Sequence, residues 1–214
     1  MVWCAWRRRT TFVGMQAHLL PDVVGWREAV PEHTVARALA EMLVDLGVRE
    51  AFGLIGGGIA PFGAALQETA IGVRHFRHEA GAAFAATEAS LATSRPVAVF
   101  LTTGPGITNA LTGLLAARWD GARVLVVSAA TSPSQRGRGA VQETSGYTLA
   151  IGGLFEPGAI FHFAAQIASA DELEEVARRL AAGVQRPGGF VAHFSVPLSL
   201  HRSIGSSSFS RSFH

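Results

Sequence analysis

Lysine is absent from all 214 residues, so each of the 18 basic residues is arginine. That excludes a Schiff-base lysine and a phosphate-loop lysine within this chain. Cysteine occurs once, as Cys4, which excludes an internal disulfide and a thiolate metal cluster and fits a reducing cytoplasm. Charged residues make up only 16% of the chain and the formal net charge is +2, too small a basic balance to point to nucleic acid. The dense cluster Arg7-Arg8-Arg9 precedes no sustained apolar run, so a solvated extension is expected rather than a secretory signal. No stretch is apolar over the length a bilayer requires. What is abundant is apolar and small: 49% hydrophobic residues and 24 glycines, a composition for a packed core with close backbone approaches.

Residues 1–31 show no clear period and read as an irregular extension, or as an arm that packs on a partner. Order is expected over 32–200, with a disordered serine-rich tail over 201–214. Val35, Leu39, Met42, Leu43 and Leu46 recur at helical spacing, with Thr34 as N-cap and Gly47 as stop. A strand over Ala51–Ile55 then closes on Gly56-Gly57-Gly58, and Pro61 opens a second helix at its first position. The spacing further predicts a strand at Val73–Phe76, a helix at Ala80–Ala92 and a doubly covered strand at Pro96–Thr102. A helix at Ile107–Trp119 and a strand at Arg123–Ala129 follow. Thr131 to Tyr147 changes to Ser, Gly, Gln and Arg, the composition of a long functional loop. Later expectations are a short helix at Thr148–Leu154, a strand at Ala159–Phe163, an amphipathic helix at Asp171–Val184 and a strand at Phe190–Val196.

Such alternation predicts one doubly wound α/β domain, with a mainly parallel sheet of about six strands and helices on both faces. Ligands of this architecture sit beyond the C-terminal strand ends. Three turns lie there: Gly56–Pro61, His78-Glu79 and Thr103–Asn109.

Generic motifs fail at these turns. The third glycine of a dinucleotide fingerprint would fall on Pro61, and the second histidine of a zinc-protease motif would fall on Ala82. His75 and His78 are spaced as metal ligands could be, but satisfied histidines are the plainer reading. Glu79 sits where a strand ends and an apolar helix begins. It is either a first-turn acid complementing the helix dipole or a partly buried carboxylate aimed into the crevice.

Three strings taken together resemble the pyrimidine-binding domain of thiamine-diphosphate enzymes, nearest to the acetohydroxyacid synthase and 2-oxoacid decarboxylase group. They are Arg77-His78-Glu79-Ala80-Gly81-Ala82-Ala83, Thr102-Thr103-Gly104-Pro105-Gly106-Ile107-Thr108-Asn109 and Arg123-Val124-Leu125-Val126-Val127-Ser128. Phe52-Gly53, Pro61 and Gln142-Glu143 fit the same pattern, which runs from about Thr34 to Pro197. The resemblance implies that Glu79 hydrogen-bonds the cofactor's aminopyrimidine and promotes its activation. It implies that Gly57, Pro61, Thr103, Gly104, Pro105 and Asn109 line the cofactor, and that Gln142 lies near substrate.

The family's Gly-Asp-Gly motif, which with a downstream Asn holds a divalent metal and the diphosphate, does not occur here. The resemblance therefore implies no metal site in this chain, thiamine diphosphate shared with a partner, and magnesium held by that partner. The implied assembly is a split enzyme acting on a 2-oxoacid, a heterotetramer with a diphosphate-binding subunit. The Ala/Gly-rich helices after Glu79 and Gly106 would be its contact surfaces. Leu54-Ile55-Gly56 departs from relatives that carry a proline before the glycines. Competing readings are a sulfopyruvate- or phosphonopyruvate-type decarboxylase subunit, a non-catalytic protein-binding relic and an unrelated nucleotide-binding domain.

Overall fold

The computed structural model describes residues 34–143 and 153–201. The N-terminal extension, most of the helix expected at Thr148–Leu154 and the C-terminal tail lie outside them. Six strands form one sheet: β1 (Glu50–Gly53), β2 (Gly72–His75), β3 (Val97–Leu101), β4 (Arg123–Ala130), β5 (Phe163–Gln166) and β6 (Phe190–Pro197). Their order is β2-β1-β3-β4-β6-β5, and every pair is parallel. The helices are α1 (Val35–Asp45), α2 (Ala60–Gln67), α3 (Glu79–Thr93), α4 (Pro105–Asp120), α5 (Leu173–Val184) and α6 (Leu198–His201).

Alternation along the central strands divides the core in two. Ala98 and Phe100 of β3, with Leu125 and Val127 of β4, meet α1, α2 and α5. Val97, Val99 and Leu101, with Val124 and Val126, meet α3 and α4. Helices thus cover both faces, as a parallel sheet joined by crossovers requires. The chain leaves β1 over one face through α2 and returns to β3 over the other through α3. The winding direction therefore reverses between β1 and β3, and a crevice opens there at the C-terminal strand ends.

Local signals fix the helix ends. Thr34 caps α1, its Oγ1 accepting from the Arg37 amide at 3.3 Å, and Gly47 follows with φ +86°. Pro61 occupies the second position of α2 rather than the first, since Ala60 already has helical geometry. Two expected elements shift. The strand foreseen at Ala159–Phe163 pairs only from Phe163 onward. The Gly158 amide bonds back to the Phe161 carbonyl, and the buried Phe161 ring stacks 5.1 Å from His193, so its apolarity reflects plugging rather than pairing. The helix foreseen from Asp171 begins with a 3-10 turn, Ala170–Glu172, and becomes α-helical at Leu173. There the Glu172 carboxylate accepts from the Ala168 amide.

A buried polar row crosses β4 and β6. Ser128, His193 and Ser195 have no exposed surface. Nδ1 of His193 lies 2.6 Å from the Leu154 carbonyl and Nε2 lies 2.7 Å from Ser128 Oγ. A carbonyl only accepts, so Nδ1 carries the proton and the Ser128 hydroxyl donates to Nε2. Ser195 Oγ, in contrast, has no partner among the described residues. Ser128→Ala should cost about 1–3 kcal/mol, whereas Ser195→Ala should change stability by under about 0.5 kcal/mol. Urea unfolding of both variants distinguishes the two hydroxyls, and equal losses would contradict the assignment.

Burial pushes His193 from its ordinary 6.5 down to about 4, against the opposing pull of the Leu154 carbonyl. Burial likewise pushes His201 down to about 4, opposed by the backbone of Val196. Both rings stay neutral in the fold, whereas the unfolded chain takes up their protons below pH 6.5. Stability is therefore complete above that value and declines as pH falls toward 4. The urea midpoint should drop across this window, and His193→Gln should flatten the drop.

Candidate functional site

The crevice between β1 and β3 is built by two turns in direct contact. A Cβ on Gly56 would lie 2.5 Å from Thr102 Oγ1, and one on Gly58 would lie 2.9 Å from the Ala129 Cβ and 3.2 Å from Thr103 Cγ2. None of Gly56, Gly57 and Gly58 has a positive φ. Gly56 and Gly58 are therefore required for space and not for an unusual backbone. Gly57 differs from its neighbours: nothing lies within 4 Å of its would-be Cβ, and it is exposed. Room for a ligand exists directly over this residue. Pro61 stands half-buried one helical turn beyond.

The second turn carries Thr103, Gly104 and Pro105. Gly104 is the N-cap of α4 with φ +66° and ψ −114°, and Pro105 opens the helix. A side chain at Gly104 would be strained and would meet Gln142, whose Cβ lies 2.8 Å away. Gln142 itself has φ +54°. The long loop after β4 thus folds back onto the Gly104 turn. A 3-10 turn at Pro133–Gln135 and the Glu143 carboxylate shape it, the latter accepting from the Gly137 amide at 2.9 and 3.0 Å. Gln142 therefore stands beside the cofactor-binding turn that the sequence reading assigns.

Glu79 is the first residue of α3 and is only 9% exposed. Its neighbour His78 caps the helix, Nδ1 accepting from the Ala80 amide at 3.2 Å, so His78 serves the backbone. His75 packs edge-on against Phe100, 5.8 Å between ring centres. Among the described residues no group of three or more His, Cys, Asp or Glu could hold a metal ion.

Asn109, in the second turn of α4, donates from Nδ2 to Glu79 Oε2 at 3.2 Å. No other hydrogen bond reaches the Glu79 side chain among the described residues. A mostly buried carboxyl group with one oxygen engaged and one available is suited to a nitrogen heterocycle that can share a proton with it. This fits an aminopyrimidine, and the open space over Gly57 fits the remainder of such a ligand.

The Glu79–Asn109 contact was not anticipated, because sequence reading placed Asn109 against the cofactor only. A signal was present. Glu79, Ala83 and Thr87 recur every four residues on α3, as do Asn109, Gly113 and Ala117 on α4, which is how two helical ridges mesh.

Known proteins bear the same pattern. Residues 33–149, more than half of the chain, match the family model described as thiamine pyrophosphate enzyme, N-terminal TPP binding domain. The chain is 30% identical over 168 residues to 2-hydroxyacyl-CoA lyase 2 of Danio rerio, covering 78% of this chain and 26% of that protein. It is 37% identical over 126 residues to the acetolactate synthase large subunit of Pyropia yezoensis, covering 56% and 21% respectively. It is 36% identical over 110 residues to the acetolactate synthase isozyme 3 large subunit of Escherichia coli (strain K12), covering 50% and 19%. The chain thus spans between about a fifth and about a quarter of the length of these relatives. The chain belongs to the thiamine pyrophosphate enzyme family, and its residues 33–149 form that family's N-terminal TPP binding domain.

Proposed function

We propose that this chain is the pyrimidine-binding subunit of a split thiamine-diphosphate enzyme that decarboxylates a 2-oxoacid or transfers the resulting acyl unit to an acceptor. The observation that carries the reading is Glu79, a mostly buried carboxyl group with one free oxygen at the crevice. Thiamine diphosphate supplies, when bound, a thiazolium carbon that becomes nucleophilic on losing its proton.

This chain's part is to bind and orient the pyrimidine end and to govern its proton. Glu79 would hydrogen-bond a ring nitrogen of the pyrimidine and hold a proton at that atom. A carboxyl group suits this task because its oxygen can share a hydrogen bond with a ring nitrogen. The Gly56–Gly58 and Thr103–Pro105 turns wall the ring and exclude water. Gln142, seated on Gly104, faces the substrate side.

The 214 residues hold no Gly-Asp-Gly motif, and in this reading a partner domain holds the diphosphate and its magnesium. That partner docks across α3 and α4, where Phe84, Leu91 and Trp119 are exposed. Such large apolar groups are poorly suited to water and well suited to an interface. A second substrate reading, cleavage of a 2-hydroxyacyl-CoA, is favoured by the 168-residue match to a lyase of that name.

Calorimetric titration of thiamine diphosphate with magnesium should show weak binding to this chain alone and binding at least tenfold tighter after assembly with a diphosphate-binding chain. Tight binding by the isolated chain would contradict the shared site. In the assembly, Glu79→Gln should lower turnover by about a hundredfold or more while leaving the unfolding midpoint of this chain close to wild type. Pyruvate and a 2-hydroxyacyl-CoA assayed side by side separate the two substrate readings. Full turnover by Glu79→Gln would refute the catalytic assignment.

A further inference from the structure

From the meshing of α3 against α4 we infer that Asn109 is a positioning residue that fixes the Glu79 carboxyl group, and that Gly113 sets the helix separation letting the two meet. Asn109 and Glu79 lie 30 residues apart in sequence and touch only through helix packing. The packing is closest one turn further along. A Cβ on Gly113 would stand 2.6 Å from the Ala83 Cβ and 2.9 Å from the Phe84 backbone nitrogen. Main chain cannot swing aside as a flexible side chain does, so any side chain at position 113 forces the helices apart. Thr87 is fully enclosed at this point. Its hydroxyl lies 2.9 Å from the Ala83 carbonyl and 3.4 Å from the Gly113 carbonyl, which ties the two helices together.

The amide orientation follows from chemistry. A carboxylate only accepts, so the NH2 of Asn109 must face it. Glutamate has three rotatable bonds, and an unrestrained carboxyl group would sample several staggered wells. One hydrogen bond from a rigid helix selects the well that leaves Oε1 available. A separation error well below 1 Å suffices to lengthen the 3.2 Å contact beyond hydrogen-bonding range. Gly113 thus acts on Glu79 without touching it. The inference deepens the reading of Glu79 as the group that engages the pyrimidine. Its catalytic consequence rests on that reading, but the hydrogen bond and the spacing do not.

The test uses the isotope-labelled full chain. Three-bond couplings report the Glu79 rotamer populations, and the side-chain amide protons report Asn109. The wild type should show one dominant Glu79 rotamer. Asn109→Leu and Gly113→Ala should both average it over several wells while the backbone spectrum stays native away from the contact. Glu79→Ala should shift the Asn109 amide protons, and Gly113→Ala should shift them the same way. Asn109 is exposed, so Asn109→Leu is expected to fold even where Gly113→Ala does not. A single Glu79 rotamer persisting in Asn109→Leu would overturn the inference, as would Asn109 amide protons indifferent to Glu79→Ala.

In the assembled enzyme, Asn109→Leu should lower kcat by about tenfold to a hundredfold with KM little changed. Combined with Glu79→Gln it should add no further loss. Multiplying losses would show that Asn109 acts apart from Glu79 and would likewise overturn the inference. Full activity of Glu79→Gln alone would remove the catalytic reading and leave the rotamer result standing.

Discussion

Parallel pairing throughout the sheet is the constraint from which the rest of this structure follows. With all strands running one way, each connection must cross a face of the sheet, and all C-terminal strand ends share one edge. The turns after β1, β2 and β3 are thereby gathered at a single rim, although they are separated by long stretches of chain. The reversal of winding between β1 and β3 then keeps α2 and α3 on opposite faces and leaves the crevice unfilled. Glycines at positions 56 and 58 allow the first turn to press against the third, which closes the floor of that crevice.

Glu79 illustrates how such a rim manages an expensive group. Taking a carboxylate out of water is costly unless hydrogen bonds or the helix terminus offset the loss. Glu79 has both aids: the first turn of α3, where free amides favour negative charge, and the Asn109 amide. His78 takes the cap position itself, so the glutamate is spared from capping and its remaining oxygen stays uncommitted. A buried acid held in this half-satisfied state gives the fold less than a fully hydrogen-bonded or apolar side chain would. Chemistry explains its presence more economically than folding does.

Much of this was legible in the sequence for identifiable reasons. β3, β4 and β6 are covered on both faces, and their mostly apolar runs announce it. Thr34 and Gly47 mark the ends of α1 through chemistry local to each residue. Glu79 stood out because a strand-to-helix junction can be read from neighbouring residues alone. β5 was misplaced because its edge strand is short and only partly buried, while the stronger apolar signal just before it belongs to the Phe161 plug. The Glu79–Asn109 bond was hidden for a different cause. It depends on the distance between two helices, and that distance is set by Gly113, whose small size looks like mere helix weakness when read along one chain segment.

The same two helices that hold Glu79 also carry the surface assigned to the proposed partner. Of their small residues, Ala83 and Gly113 are spent on each other. What they turn outward is larger: Phe84 and Leu91 on α3 and Trp119 on α4. A face of this kind gains by being covered. In the proposed split enzyme, supplying the pyrimidine's proton partner from one domain and the diphosphate's metal from another would make assembly itself the condition for reactivity. The proposed cofactor would then be activated only where the surrounding walls keep water out.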